Sequence, residues 1–258
     1  MDKHIGAQFY TIAKSIQTLP DFEESCKKIS DMGFKIVQIS GTPLKASDMR
    51  PILDKYGLKV VTTHRGFQDF KNNIEEVIEY NKILGSDICG MGMMPLEFVE
   101  SEEKLSEFIK EINKICETLK ANNMYFGYHN HAWEFEKLGG KVIYDRLIEE
   151  TDPEVFQFIV DIAWVHLAVN DTPALLKRLG KRAMAIHLKD YAVLRENSVM
   201  TKVREIGNGF IHWDPILSAC EEAGARFALI EQDCDFRTDD PFESLKESRD
   251  FLISKGYC

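Results

Sequence analysis

No stretch of this sequence approaches the roughly 20 apolar residues needed to cross a bilayer. Nowhere do two cysteines form a C-x-x-C pair. The first absence argues against a membrane-embedded chain. The second, with six cysteines scattered at Cys26, Cys89, Cys116, Cys220, Cys234 and Cys258, argues against a thiolate zinc site or a redox dithiol. The opening Met1-Asp2-Lys3-His4 runs into a strand-like segment with no secretory apolar region. The expectation is therefore a cytoplasmic protein with reduced thiols. Positive charge is short as well: 32 Lys and Arg face 42 Asp and Glu, a net charge of −10. Such a balance disfavours nucleic acid as a partner, while leaving room for a local basic pocket. No glycine-rich phosphate turn follows the first strand, where Gln8-Phe9-Tyr10-Thr11 stands, and this counts against a dinucleotide-binding open sheet.

What is present is an apolar fraction of 44% in 258 residues, enough for a large core. It is distributed in two alternating textures. Strand-like runs end near residues 9, 39, 64, 91, 129, 161, 188 and 231. Helical patterns follow at 21–32, 48–56, 69–84, 101–121, 140–150, 162–179, 212–223 and 241–254, several of them stopped by Gly33, Gly57, Gly85, Gly180 and Gly224. Strict βα alternation implies a parallel sheet. Eight units in this length imply one α/β domain over 1–258, a closed (β/α)8 barrel, with a doubly wound open sheet as the structural alternative.

In such a barrel the chemistry sits where the strands end. Phe158-Ile159-Val160-Asp161, Ala185-Ile186-His187 and Ala228-Leu229-Ile230-Glu231 each close an apolar run with a metal-ligand residue type. The preceding strand end reads Tyr128-His129-Asn130-His131, with Trp133-Glu134 just beyond, and strand three ends at His64. Singly, each has an ordinary explanation: Asp161 as a helix cap, His187 as a hydrogen-bonded rim residue, Glu231 as a solvated carboxylate. Together on consecutive strands they point to one divalent cation. Oxygen and nitrogen ligands without thiolates suit Mn, Mg, Co or Zn in a catalytic site. Lys189, two residues after His187, points to the same face. It is placed to hold an anionic oxygen or move a proton, or else to pair with Asp161 or Glu231.

Across its length the chain resembles the sugar phosphate isomerase/epimerase family of xylose isomerase-like TIM barrels. The pieces that carry the resemblance include Gly33-Phe34-Lys35-Ile36-Val37-Gln38-Ile39-Ser40-Gly41, Gly127-Tyr128-His129-Asn130-His131-Ala132-Trp133-Glu134-Phe135, Val160-Asp161-Ile162-Ala163-Trp164, Ile186-His187-Leu188-Lys189-Asp190, Gly207-Asn208-Gly209-Phe210-Ile211-His212-Trp213 and Ile230-Glu231-Gln232-Asp233. The resemblance implies one cation held by Glu, Asp, His and Glu from strands five to eight. Asp161, His187 and Glu231 match three of these. The strand-five glutamate has no direct counterpart, so Glu134 is the expected fourth ligand and His129 the substitute. Trp164 stands where some relatives carry a histidine, and His212 where relatives often carry an aspartate.

The implied activity is proton transfer next to the carbonyl of a sugar, keto-sugar or sugar phosphate, through an enediolate that the cation stabilises. Glu231 is the first candidate for proton transfer, with Glu134 or His129 opposite and Lys189 assisting. His64, His131 and Trp164 are the expected substrate contacts, and Trp133 and Phe9 are further candidates for the wall. Arg195, Lys202, Arg204 and the Gly207-Asn208-Gly209 turn offer either a phosphate site or a solvated loop. The partner is a small carbohydrate, with homo-oligomerisation left open. A lyase of the inosose dehydratase type is the alternative. A repair nuclease and a non-catalytic binding barrel are more distant ones.

Overall fold

The computed structural model of the protein describes residues 1–169, 171–196 and 198–258, with the side chains of 194–200 outside the description. Eight parallel strands close on themselves: β1 (Ile5–Gln8), β2 (Ile36–Ile39), β3 (Lys59–Arg65), β4 (Ile88–Met91), β5 (Tyr125–His129), β6 (Phe156–Asp161), β7 (Ala183–Leu188) and β8 (Phe227–Ile230). Each pairs with its neighbour in sequence, and β8 closes on β1 with Ala228 beside Ile5. Side chains alternate across each strand, so one set fills the barrel and the other faces the helices. Ile36, Val61, Ile88, Ile159, Met184, Phe227 and Leu229 form the inner core. Phe126, Phe156 and Phe158 belong to the larger layer between barrel and helices.

The helices are α1 (Leu19–Asp31), α2 (Ala46–Lys55), α3 (Phe67–Asn72), α4 (Ile74–Leu84), α5 (Glu102–Ala121), α6 (Ile143–Glu150), α7 (Ile162–Ala168), α8 (Thr172–Leu179), α9 (Trp213–Ala223) and α10 (Pro241–Ser254). Two expected helices are each divided. The pattern over 69–84 breaks at Asn73, which leaves helical geometry with φ −139° and ψ 44°. The break lets Phe67 and Phe70 of α3 reach Phe108 and Phe126. The pattern over 162–179 ends at Val169 and restarts at Asp171, which caps α8 by accepting from the Ala174 N–H. Pro173 lies in the first turn of α8, the helical position that tolerates a missing N–H.

The segment after β7, read as a loop, is an antiparallel hairpin that pairs Asp190–Glu196 with Ser198–Arg204. Pairing satisfies the backbone groups of a long excursion. The Arg195 side chain lies outside the described residues. Among the described residues no helix is long and apolar enough to cross a membrane. All six cysteines are free thiols.

Close packing inside the barrel depends on Gly90. A Cβ there would sit 2.1 Å from the Thr63 carbonyl oxygen, 2.9 Å from the His64 ring and 3.0 Å from Ile159. The first of these is backbone and cannot rotate away. Gly90→Ala should therefore cost about 2–3 kcal/mol, read as a lower urea midpoint. An unchanged midpoint would show that β3 and β4 separate without penalty.

Candidate metal centre

The period-two alternation that buries the inner core continues to the strand ends. It carries Gly127 to His129, Ile159 to Asp161, Ala185 to His187 and Leu229 to Glu231, four buried side chains over the barrel mouth. One ligand atom from each of His129, Asp161, His187 and Glu231 lies within 4.8 Å of the other three.

The hydrogen bonds around this group decide its chemistry. His129 Nδ1 is 2.9 Å from the Gly92 carbonyl oxygen. A carbonyl only accepts, so Nδ1 carries the hydrogen and the Nε2 lone pair faces inward. That Nε2 is 3.5 Å from Asp161 Oδ2 and 3.7 Å from Glu231 Oε2. His187 Nε2 is 2.8 Å from Gln38 Oε1, and its Nδ1 is 2.8 Å from Glu231 Oε2. An ionised carboxylate only accepts, so His187 Nδ1 donates to Glu231 in the cation-free protein; with the amide oxygen of Gln38 ready to accept at Nε2, the ring can turn an Nδ1 lone pair inward when a cation is bound. The His129 lone pair and two carboxylates aimed at one point repel unless positive charge sits among them. Among the described residues His129 Nε2 is buried without a hydrogen bond, and Asp161 Oδ2 is buried with only the Lys189 ammonium and the His129 ring beside it. A donor set of this kind, with both imidazoles oriented from behind by outer partners, fits a divalent cation.

Lys189 supplies part of the positive charge. Its Nζ is 3.1 Å from Asp161 Oδ2, 3.2 Å from Glu231 Oε2 and 3.4 Å from Asp233 Oδ2. Burial pulls its pKa down, but the three carboxylates outweigh burial and raise it, so Lys189 is a fixed ammonium and not a base. Burial pushes the Glu231 and Asp161 carboxyls up, yet the Lys189 charge and the neighbouring histidines hold both below their ordinary values, Glu231 well below. Burial lowers His187 and, with the surrounding imidazoles, sends His64 well below its usual range. For His129 burial is outweighed by Asp161 and Glu231, and its pKa rises to about 9.

Asp161 is a helix cap, as one of its sequence readings had it. Its Oδ1 caps α7 by accepting from the Trp164 N–H at 3.1 Å, while Oδ2 faces the cluster. Glu134 does not join the group. It is buried, with Oε1 accepting from Tyr128 Oη at 2.9 Å and Oε2 accepting from the His131 N–H at 2.8 Å. A short turn over Trp133–Phe135 folds Glu134 back toward Tyr128, whose side chain points away from the barrel interior. His129 supplies the fourth side chain of the cluster. The expected contacts His64 and His131 are close by, with ring centroids 5.2 and 5.0 Å from that of His129. Trp164 lies 5.4 Å from Lys189 Nζ. Phe9 does not line the mouth; it is buried edge-on against Phe22, 5.9 Å between centroids.

Over the cluster lies a cavity of about 480 Å³ bounded in part by Tyr10, His64, Arg65, His131, Lys189 and Glu231. The Gly207-Asn208-Gly209 turn serves an internal anion. Asp190 accepts from the N–H groups of Gly207 and Ile211 at 3.0 and 3.2 Å, and from Trp213 Nε1 at 2.8 Å. Sequence reasoning missed Gln38, Gly92 and Asp190. Gln38 ends an inward-facing register on β2, which is the one signal that marks it.

A family model described as xylose isomerase-like TIM barrel matches residues 26–255. An inosose dehydratase of Geobacillus thermodenitrificans is 26% identical over 188 residues, covering 65% of this chain and 61% of that relative's own length. A sugar phosphate isomerase/epimerase structure from Parabacteroides distasonis superimposes with a TM-score of 0.79 at 19% identity, covering 96% of this chain and 92% of that one. A xylose isomerase-like TIM barrel protein from Mycobacterium smegmatis, in complex with magnesium, gives 0.75 at 13% identity over 98% and 97% of the two chains. At these identities the structural likenesses establish the fold.

The raised pKa of His129 has a signed consequence. An imidazolium held more tightly in the folded state than in the unfolded chain stabilises the fold fully below the ordinary value of about 6.5. That contribution is lost as pH rises through about 9. Protein freed of cations with EDTA should therefore show a urea midpoint that falls between pH 6.5 and 9, and His129→Gln should remove the fall. A flat wild-type profile would contradict the charge placement.

Proposed function

This chain belongs to the xylose isomerase-like TIM barrel family, and we propose that it is a divalent-metal-dependent sugar isomerase or epimerase that moves a proton next to a carbonyl. The observation that carries the proposal is the convergence of His129, Asp161, His187 and Glu231 from four consecutive strand ends, with both imidazoles oriented from outside the cluster. These four residues would hold the cation. The cation, when bound, supplies Lewis-acid stabilisation of the negative charge that develops on a carbonyl oxygen as the neighbouring proton leaves.

The chain's own groups do the rest. Glu231 borders the cavity and is kept ionised by Lys189 and His187, so it stands ready to accept a proton from the substrate carbon. Lys189 offers a fixed ammonium to an oxygen that becomes anionic in the transition state. His131 also borders the cavity, and its Nδ1 lies 3.9 Å from Glu134 Oε1. Glu134 thus acts through His131: it fixes the backbone N–H and faces the ring that would return the proton. His64, neutral at physiological pH by burial, can accept or donate a hydrogen bond to a substrate hydroxyl.

A second reading rests on the curated relatives named inosose dehydratase. The first step is the same, removal of a proton beside a carbonyl, and a hydroxyl on the next carbon then departs as water. The experiment that separates the two is incubation of Mn-loaded protein with ketoses and inososes in D₂O. Deuterium at the carbon beside the carbonyl without dehydration supports the isomerase or epimerase. A dehydrated product supports the lyase, and neither outcome on any substrate would contradict both.

Lys189 offers a sharper test of roles. Removing a positive charge 3.1–3.2 Å from two ligand carboxylates cannot weaken their hold on a dication. Lys189→Met should keep or increase bound metal, measured by elemental analysis, while turnover falls at least ~100-fold. Parallel loss of metal and activity would make Lys189 part of the ligand scaffold.

A further inference from the structure

His131 is shared by two cavities. The first is the space over the cluster described above. The second, about 490 Å³, is bounded by His131, Trp133, Phe135, Glu136, Trp164 and Leu167. Its size is comparable to the first, so a monosaccharide seated over Glu231 leaves it unfilled. Its walls are flat rings. Trp133 lies nearly parallel to His131, with 13° between planes and 6.5 Å between centroids. Trp164 is 5.8 Å from the same imidazole.

The edges of this cavity are polar. The Glu136 carboxylate is exposed at the rim, beside the His131 imidazole. Flat apolar faces edged by a carboxylate and an imidazole complement a pyranose or furanose, which has C–H faces and hydroxyl edges. An aryl or acyl group would leave those polar edges unanswered. The platform is also tied to the cluster, because the backbone N–H of Trp164 is donated to Asp161 Oδ1.

We propose that this second cavity is a subsite for a second sugar ring, and that the substrate is a disaccharide or larger glycoside. One ring lies over the cluster and the next stacks on Trp133 and Trp164. Which ring reacts rests on the function proposed above; the binding itself does not.

The test is intrinsic tryptophan fluorescence of the full chain, titrated in EDTA and again with Mn²⁺, using cellobiose and lactulose against D-glucose and D-fructose. The disaccharides should bind at least tenfold more tightly than the monosaccharides. Trp133→Ala, which leaves Trp164 as reporter, should abolish that advantage, and Trp133→Phe should restore most of it. Equal affinity for one ring and two would overturn the proposal. So would an equal loss of both in Trp133→Ala, or tight binding of phenyl β-D-glucoside without tight binding of cellobiose. The EDTA titration needs neither cation nor turnover. A disaccharide preference without proton exchange would sink the proposed reaction alone, and proton exchange without the preference would sink the subsite alone.

Discussion

Everything at the barrel mouth depends on one conflict: two carboxylates, Asp161 and Glu231, are buried within reach of each other. Unpaired, each would lose its charge to burial. Lys189 touches both, yet one ammonium against two carboxylates leaves a net negative charge, and the inward nitrogen of His129 is turned toward the same point. Either a proton on His129 or a divalent cation balances the site. The cation-free protein balances it with the proton: Asp161 and Glu231 raise His129 against its burial, while burial lowers His187 and His64.

The surrounding fold reads as a means of holding that conflict in place. Gly92 and Gln38 bind the outward nitrogens of His129 and His187, so neither ring can rotate to relieve the crowding. Asp161 is pinned through its other oxygen to the start of α7, and its own N–H is donated to Asn130. Asp190, next to Lys189, is wrapped by backbone N–H groups and the Trp213 indole, and so anchors the segment that follows β7. Rigid outer partners of this kind convert a set of ligand types into a site with a defined geometry.

Much of this was legible in the sequence because strand ends announce themselves. Apolar runs closed by Asp161, His187 and Glu231 are conspicuous, and the eight-fold alternation left little choice of architecture. The fourth member was not settled by spacing. Glu134 is the acidic residue nearest strand five, but period two places Gly127 and His129 on the inner face, the same rule that located Lys189. Applied to β5, it selects His129. The divided helices had local signals, Asp171 followed by Pro173 for one, that a continuous apolar stripe outweighed. The hairpin after β7 and the wrapped Asp190 depend on contacts between residues far apart in sequence, which no local pattern carries.

The most direct test of the account is a crystal of the Mn²⁺-soaked protein measured at an X-ray energy where manganese scatters anomalously. The account predicts one strong peak bonded to His129 Nε2, Asp161 Oδ2, His187 Nδ1 and Glu231, at distances near 2.0–2.3 Å, with Glu134 still bound to Tyr128. A peak that recruits Glu134 in place of His129, or no peak at the barrel mouth, would contradict it.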